Sequence, residues 1–136
     1  MPLVNPYLSY DGNCREVMNF YNECLGGELT MQTVRESPIA DKCPASMQDS
    51  VMHSSITKNA TVLILGSDLH REKLVEGNTT TLCVACDSED ELNACFEKLS
   101  ARGKVIDPLQ VAFWGDTFGV LHDKFGRQWM FVYHKK

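Results

Sequence analysis

Apolar and polar positions along this chain follow one pattern that is laid down twice. Val4 to Tyr10 reads as a strand, Asp11-Gly12-Asn13 as a turn, and Val17, Phe20, Tyr21, Cys24 and Leu25 then fall on one face at helical spacing. Asn13 with Glu16 three residues later predicts a capping arrangement, and Gly26-Gly27 ends the helix. A strand from about Glu28 to Arg35 follows. Ser37 to Ser50 has Pro, Ser and Met but no periodicity, which predicts a mobile loop. Val51 to Thr57 and Ala60 to Gly66 are β-rich runs separated by Lys58-Asn59, the chemistry of a tight hairpin.

After the polar stretch Ser67 to Asn78 the order restarts. Thr79 to Cys86 is a predicted strand, Ser88 with Glu91 is a capping box, and Leu92, Cys95, Phe96 and Leu99 line a helix that Gly103 is expected to end. Lys104 to Phe113, Asp116 to His122 and Arg127 to His134 supply three more strands. At an offset of 76 residues Asp11 falls on Asp87, Phe20 on Phe96 and Gly27 on Gly103. Two copies of a β-α-β-β-β unit imply a pseudo-twofold α+β domain spanning residues 1–136, with module one at about 1–68, module two at about 79–136 and a cleft between the copies.

Composition narrows the function classes. With 136 residues, the chain is long enough for one core that buries roughly two-thirds of the surface of the unfolded form. The net charge of -5, without a Lys/Arg cluster, argues against a nucleic-acid groove, which needs dense positive charge. No apolar run of about 18 residues suggests a membrane span, and the first residues lack the basic start and apolar stretch of a signal peptide, so a cytoplasmic location is expected. The six cysteines are expected to be free thiols, several of them buried. Cys83-x-x-Cys86 has no second pair of comparable spacing to complete a zinc site, and it lies on a predicted strand, where residues three apart point to opposite faces, rather than at the helix start a redox pair needs, so a core or surface role is expected. No glycine-rich nucleotide loop is present.

The duplicated unit, with Asn19-Phe20-Tyr21 and Leu25-Gly26-Gly27 in the first helix and Asp123-Lys124-Phe125-Gly126 before the last strand, resembles the vicinal oxygen chelate superfamily of glyoxalases, bleomycin-resistance proteins and extradiol dioxygenases. Pro6-Tyr7-Leu8-Ser9-Tyr10-Asp11-Gly12-Asn13-Cys14-Arg15-Glu16, Met52-His53, Leu65-Gly66-Ser67-Asp68, Trp114-Gly115-Asp116-Thr117-Phe118-Gly119 and Trp129-Met130 are similar to its PhnB-like branch. The resemblance covers essentially the whole chain. It implies curved mixed sheets around a cavity, with helices outside, and a homodimer. In metal-dependent members, His and carboxylate ligands on the first and last strands of each module hold a divalent Lewis acid. Those positions fall here on Val4, Ile64, Thr80 or Thr81, and Met130, none of them a ligand of the usual kind. No cofactor is therefore assigned, although His53 and His122 with Asp68 or Asp116 offer a non-standard divalent site.

His53 is the leading candidate for polar chemistry, because a histidine is easily poised near neutral pH. It is either a general base or pocket hydrogen-bonding group, or a strand histidine satisfied by a neighbour or solvent. Trp114-Gly115 is either an aromatic wall for a flat ligand or a hairpin turn whose Trp covers the core edge. Met130 faces the cavity if Trp129 and Phe131 pack under the helices, and the same alternation would turn Pro6, Leu8, Val62 and Ile64 inward. His70 and His134 are expected to be solvated and His122 structural. The expected function is a glyoxalase- or bleomycin-resistance-like protein that binds a small, partly apolar molecule through His53, Ile64, Trp114, Gly115, Phe118 and Met130 without the family metal. The alternatives are an enzyme using His53 or a non-standard metal site, and a structural domain without a ligand.

Overall fold

The computed structural model describes residues 2–135. Its elements run β1 (Tyr7–Ser9), α1 (Cys14–Leu25), β2 (Glu28–Thr33), β3 (Val51–Lys58), β4 (Thr61–Ser67), β5 (Leu82–Cys86), α2 (Glu89–Ser100), β6 (Lys104–Val111), β7 (Thr117–His122) and β8 (Gln128–Tyr133). The chain divides into two compact units, residues 1–75 and 76–136. Each holds one helix and one four-stranded sheet, ordered β1-β4-β3-β2 in the first and β5-β8-β7-β6 in the second. In both, the strand before the helix pairs in parallel with the last strand of its module, and the other pairings are antiparallel. This is an α+β fold of two β-α-β-β-β modules.

In the first unit the buried stripe of α1 is Cys14, Val17, Met18, Tyr21, Cys24 and Leu25. Met18 takes the place expected for Phe20, which is half-buried. Gly66 on β4 lets the helix approach closely, since a Cβ there would lie 3.0 Å from Met18 Sδ and 3.3 Å from Ser54 Oγ. Ser54 pairs with Gly66, and Ile56 with Ile64, so these four residues share the helix-covered face of the sheet. Cys14 sits in the same layer, its Sγ 3.6 Å from Ser54 Oγ. Burial, reinforced by the Asp68 charge and partly offset by Ser54, pushes its thiol up to about 11.

The start of α1 is held differently from the prediction. Asn13 has a φ of -107° and ψ of 14°, away from the extended backbone that aims a capping side chain, and makes no side-chain cap bond. The buried Asp68, just after β4, supplies the acceptors instead: Oδ1 accepts from Gly12 N–H at 2.9 Å and Cys14 N–H at 3.0 Å, and Oδ2 from Val51 N–H at 2.9 Å. The chain ends α1 at Gly26, whose φ of 72° is left-handed. Lys58 Nζ adds a 2.9 Å bond to the Leu25 carbonyl.

Strand ends also differ. Val4 is almost fully exposed and β1 begins only at Tyr7, because Pro6 has no N–H to give to a ladder, although its carbonyl still accepts from Leu65 N–H at 3.0 Å. β5 begins at Leu82, three residues later than Thr79. The β3–β4 turn is centred on Asn59-Ala60, with φ of 51° and 64°, the paired left-handed conformations of a type I′ hairpin. The segment from Ser37 to Ser50 contains two 3-10 turns and is cross-tied by Gln48 Nε2, which donates to the carbonyls of Ala40 at 2.8 Å and Cys43 at 3.1 Å.

The second unit keeps its predicted stripe, with Leu92, Cys95, Phe96 and Leu99 of α2 all buried. Ser88 Oγ accepts from Glu91 N–H at 3.1 Å, while Glu91 Oε1 reaches one residue further back, to Asp87 N–H at 3.1 Å. The helix stops before Gly103. Its last residue is Ser100, and Arg102 takes the left-handed conformation at φ 62°; Gly103 is required because a Cβ there would collide with the His122 carbonyl. Trp129 and Phe131 are buried under α2, where Phe96 meets Phe131 edge-on at 5.7 Å. Buried Asp123 closes the β7–β8 hairpin, accepting from Phe125 and Arg127 N–H at 2.9 and 3.0 Å and from Trp129 Nε1–H at 2.9 Å. Cys83 is exposed and Cys86 buried, on opposite faces of β5, and all six cysteines are free thiols.

Candidate functional site

Each sheet has one face under its helix and one face open, and the open faces carry the candidate chemistry. On the first sheet, strand register sets Gln32 opposite His53, Thr30 opposite Ser55, and Tyr7 opposite Leu65, which itself pairs with Ser55. His53 alternates with the helix-side residue Ser54 and is therefore on the open face; it is exposed, and the Tyr7 ring lies 6.3 Å from its own. Thr30 Oγ1 and Ser55 Oγ are hydrogen-bonded at 2.8 Å. This face is a polar strip around one imidazole, with Leu65 beside Tyr7 in the register.

Ile64 does not join it. Its pairing with Ile56 places it on the helix side, 3% exposed, and Leu8 lies there too through its pairing with Gly66. The alternation expected to turn both residues inward runs the other way along β1 and β4. Val62 reaches the open face only because a bulge near Ile56/Thr57 shifts the register by one, a feature that strict alternation misses.

On the second sheet, Gly119, Leu121, Trp129 and Phe131 are turned to the helix. A Cβ on Gly119 would lie 2.8 Å from both Phe96 Cε2 and Leu109 Cδ2. The alternate residues therefore form the open face, where register aligns Cys83, Met130 and Val120 in one row and Ala85, Val132 and Phe118 in the next. Met130, Val120, Val132 and Phe118 are half-buried, which makes an apolar band. At one end of the band Gln128 bridges His122 at 3.3 Å and Thr81 Oγ1 at 2.7 Å.

At its other end the β6–β7 turn brings two rings, Phe113 and Trp114, to Phe118 of β7. Trp114 stacks on Phe118 with centroids 5.9 Å apart and planes 19° from parallel, and Phe113 meets Trp114 edge-on at 4.8 Å. Gly115 makes this turn possible with a φ of 99°, a conformation other residues rarely adopt. Trp114 is 57% exposed although its indole N–H is bonded to Asp116 Oδ2 at 2.9 Å. An exposed ring held by both a stack and a hydrogen bond is preorganised for another flat ring. Thus the second unit brings together Trp114, Gly115 and Phe118, with Met130 on the same face, while His53 belongs to the polar strip of the first unit.

The positions that hold the family metal do not fit one. Val4 lies outside the strands, Ile64 points under α1, Thr81 is bonded to Gln128, and Met130 offers a soft thioether where a hard divalent cation requires oxygen or imidazole. Among the described residues, His, Cys, Asp and Glu form no group of three placed to hold an ion, and no helix is long and apolar enough to cross a membrane.

Comparison with known proteins places this architecture. Residues 3–131, running through both units, match the model of the Glyoxalase/Bleomycin resistance protein/Dioxygenase superfamily. Protein YjdN of Escherichia coli is 34% identical over 141 residues, covering 96% of this chain and 93% of the relative. A crystal structure of a Pseudomonas aeruginosa protein superposes with a TM-score of 0.81 at 31% identity, over the full length of both chains. A Bacillus cereus PhnB protein shares the fold with a TM-score of 0.75 at 24% identity, over 98% of this chain and all of that one. With the duplicated module, its two four-stranded sheets and these likenesses in agreement, the chain belongs to the glyoxalase/bleomycin resistance protein/dioxygenase superfamily.

Proposed function

We propose that this protein binds a compact, flat and partly apolar small molecule, without the family metal, on the open face of its second sheet. The observation that carries the reading is the Trp114–Phe118 stack at the end of the half-buried band of Phe118, Val120, Met130 and Val132. Flat apolar area and a fixed exposed ring favour stacking over hydrogen-bond recognition. The donor chemistry at Val4, Ile64, Thr81 and Met130 supports a site that works without a hard cation.

Nitrobenzene is a suitable neutral probe. In equilibrium dialysis, Trp114→Ala is expected to weaken its binding about tenfold, the loss of one good ring contact, whereas equal binding by both proteins would overturn the reading. Metal analysis of the purified protein checks the other half of the proposal, since one divalent ion per chain would sink it.

A second reading, an enzyme using acid-base chemistry, is favoured by His53 alone, because it stands exposed beside Tyr7 and across from Gln32. Loss of nitrobenzene binding in His53→Ala would bring that imidazole into the site, and unchanged binding would remove it. Homodimerisation is proposed through β6, an edge strand with Val105, Ile106 and Val111 exposed. Sedimentation of Val111→Lys as a monomer and the natural chain as a dimer is the expected result.

A further inference from the structure

The β7–β8 register, continued one step beyond the pair Thr117 and Tyr133, sets Asp116 opposite His134, on the face that holds Phe118 and Val132. The side chains meet there. Asp116 Oδ2 accepts from His134 Nδ1 at 2.8 Å and from Trp114 Nε1–H at 2.9 Å, so one carboxylate oxygen holds both the imidazole and the indole. The turn beneath is fixed by Ala112 N–H donating to the Asp116 carbonyl at 2.7 Å and Gly115 N–H to the Ala112 carbonyl at 2.9 Å. The Asp116 side chain is largely covered, whereas that of His134 is 72% exposed. A carboxylate only accepts, so the proton of a neutral imidazole sits on Nδ1 and Nε2 keeps its lone pair. Among the described residues, Nε2 has no bonded partner.

We infer that Asp116 and His134 form the polar half of the aromatic surface and select flat aromatic ligands that carry an acidic hydroxyl group. This rests on the flat-ligand reading above and adds a chemical class to it. A ring laid on Trp114 brings its hydroxyl to His134 Nε2, to which the O–H donates. When the hydroxyl is acidic enough, its proton passes to Nε2, leaving an oxyanion on the ligand and an imidazolium whose charge Asp116 balances. His134 touches the ligand, while Asp116 is a positioning residue that fixes the tautomer and the indole together.

The test compares 4-nitrophenol with nitrobenzene, which lacks the hydroxyl, by equilibrium dialysis on the intact protein. Tighter binding of 4-nitrophenol by about tenfold is expected, with the bound probe showing the absorbance of its ionised form, as suits a charge-assisted hydrogen bond. His134→Gln, a change at an exposed position, is expected to abolish the preference and the ionised band while leaving nitrobenzene binding within about twofold. Asp116→Asn is expected to lose the ionised band as well. Retention of the preference in His134→Gln, or equal loss for both probes, overturns the inference. If nitrobenzene binding depends on Trp114 but no hydroxyl preference exists, this inference alone fails; if nitrobenzene binding is independent of Trp114, the flat-ligand reading fails and takes it along.

Discussion

The two modules follow one plan but start their helices by different means. In the second module, Ser88 and Glu91 cap α2 from within four residues of its start, so the signal is local and complete in the sequence. In the first, α1 is capped by Asp68, which lies 54 residues after the Cys14 amide it accepts from and also holds Val51 at the start of β3. Each module contains one buried, fully engaged aspartate, yet Asp123 closes a single hairpin and the Trp129 indole, whereas Asp68 ties three separate segments. Repetition of a fold therefore did not require repetition of the polar contacts that hold it.

Removal of Asp68 is the strongest way to break this comparison. Asp68→Ala leaves three backbone donors short of an acceptor, and a loss of about 3 to 5 kcal/mol in urea unfolding is expected because buried unsatisfied groups cost roughly 1 to 3 kcal/mol each without full additivity. Asp123→Ala should cost less, about 2 to 3 kcal/mol, since two of its donors sit in a half-exposed turn that water reaches. Both losses being equal would mean that the number of segments joined is irrelevant.

Alkaline titration gives an effect of similar or smaller size, specific to the first module. The Cys14 thiol, at about 11 in the fold against an ordinary 9.0, ionises more readily in the unfolded chain. The unfolded state then binds fewer protons, so stability falls between pH 9 and 11, by on the order of 2 kcal/mol, and Cys14→Ser should flatten that slope. Smallest is the contrast between caps. Ser88→Ala should cost about 1 kcal/mol and Asn13→Ala only a few tenths, as read from thermal unfolding. A larger effect at Asn13 would restore the local cap that the structure replaces.

Much of the fold was legible because its signals are periodic and local. The α2 stripe, its capping box, the β3–β4 hairpin and the Trp129/Met130/Phe131 alternation all depend on neighbours a few residues apart. What was missed depends on distance or register. Nothing near Asn13 announces Asp68, and a bulge in the middle of the β3–β4 pairing separates Val62 from Ile64 although they are two residues apart. Ile64, like Leu8, lies on the helix side because alternation along β1 and β4 runs opposite to the expected one, and only Val62 owes its face to the bulge. His134 is exposed, as expected, but it also continues the Met130, Val132 alternation by one step and lands opposite Asp116, a contact the sequence suggests only once the hairpin register is drawn.

The remote cap also sets an order of events in time. α2 can close its first turn as soon as Ser88 to Glu91 are made, but the Gly12 and Cys14 amides must wait until β4 has been laid down and Asp68 delivered. Closing so long a loop precedes the reward, which slows that step. During refolding, the amides of Gly12, Cys14 and Val51 should therefore gain protection from solvent exchange together and late, after the Glu91 amide. The nascent first module is thus incomplete for as long as its own last strand is missing.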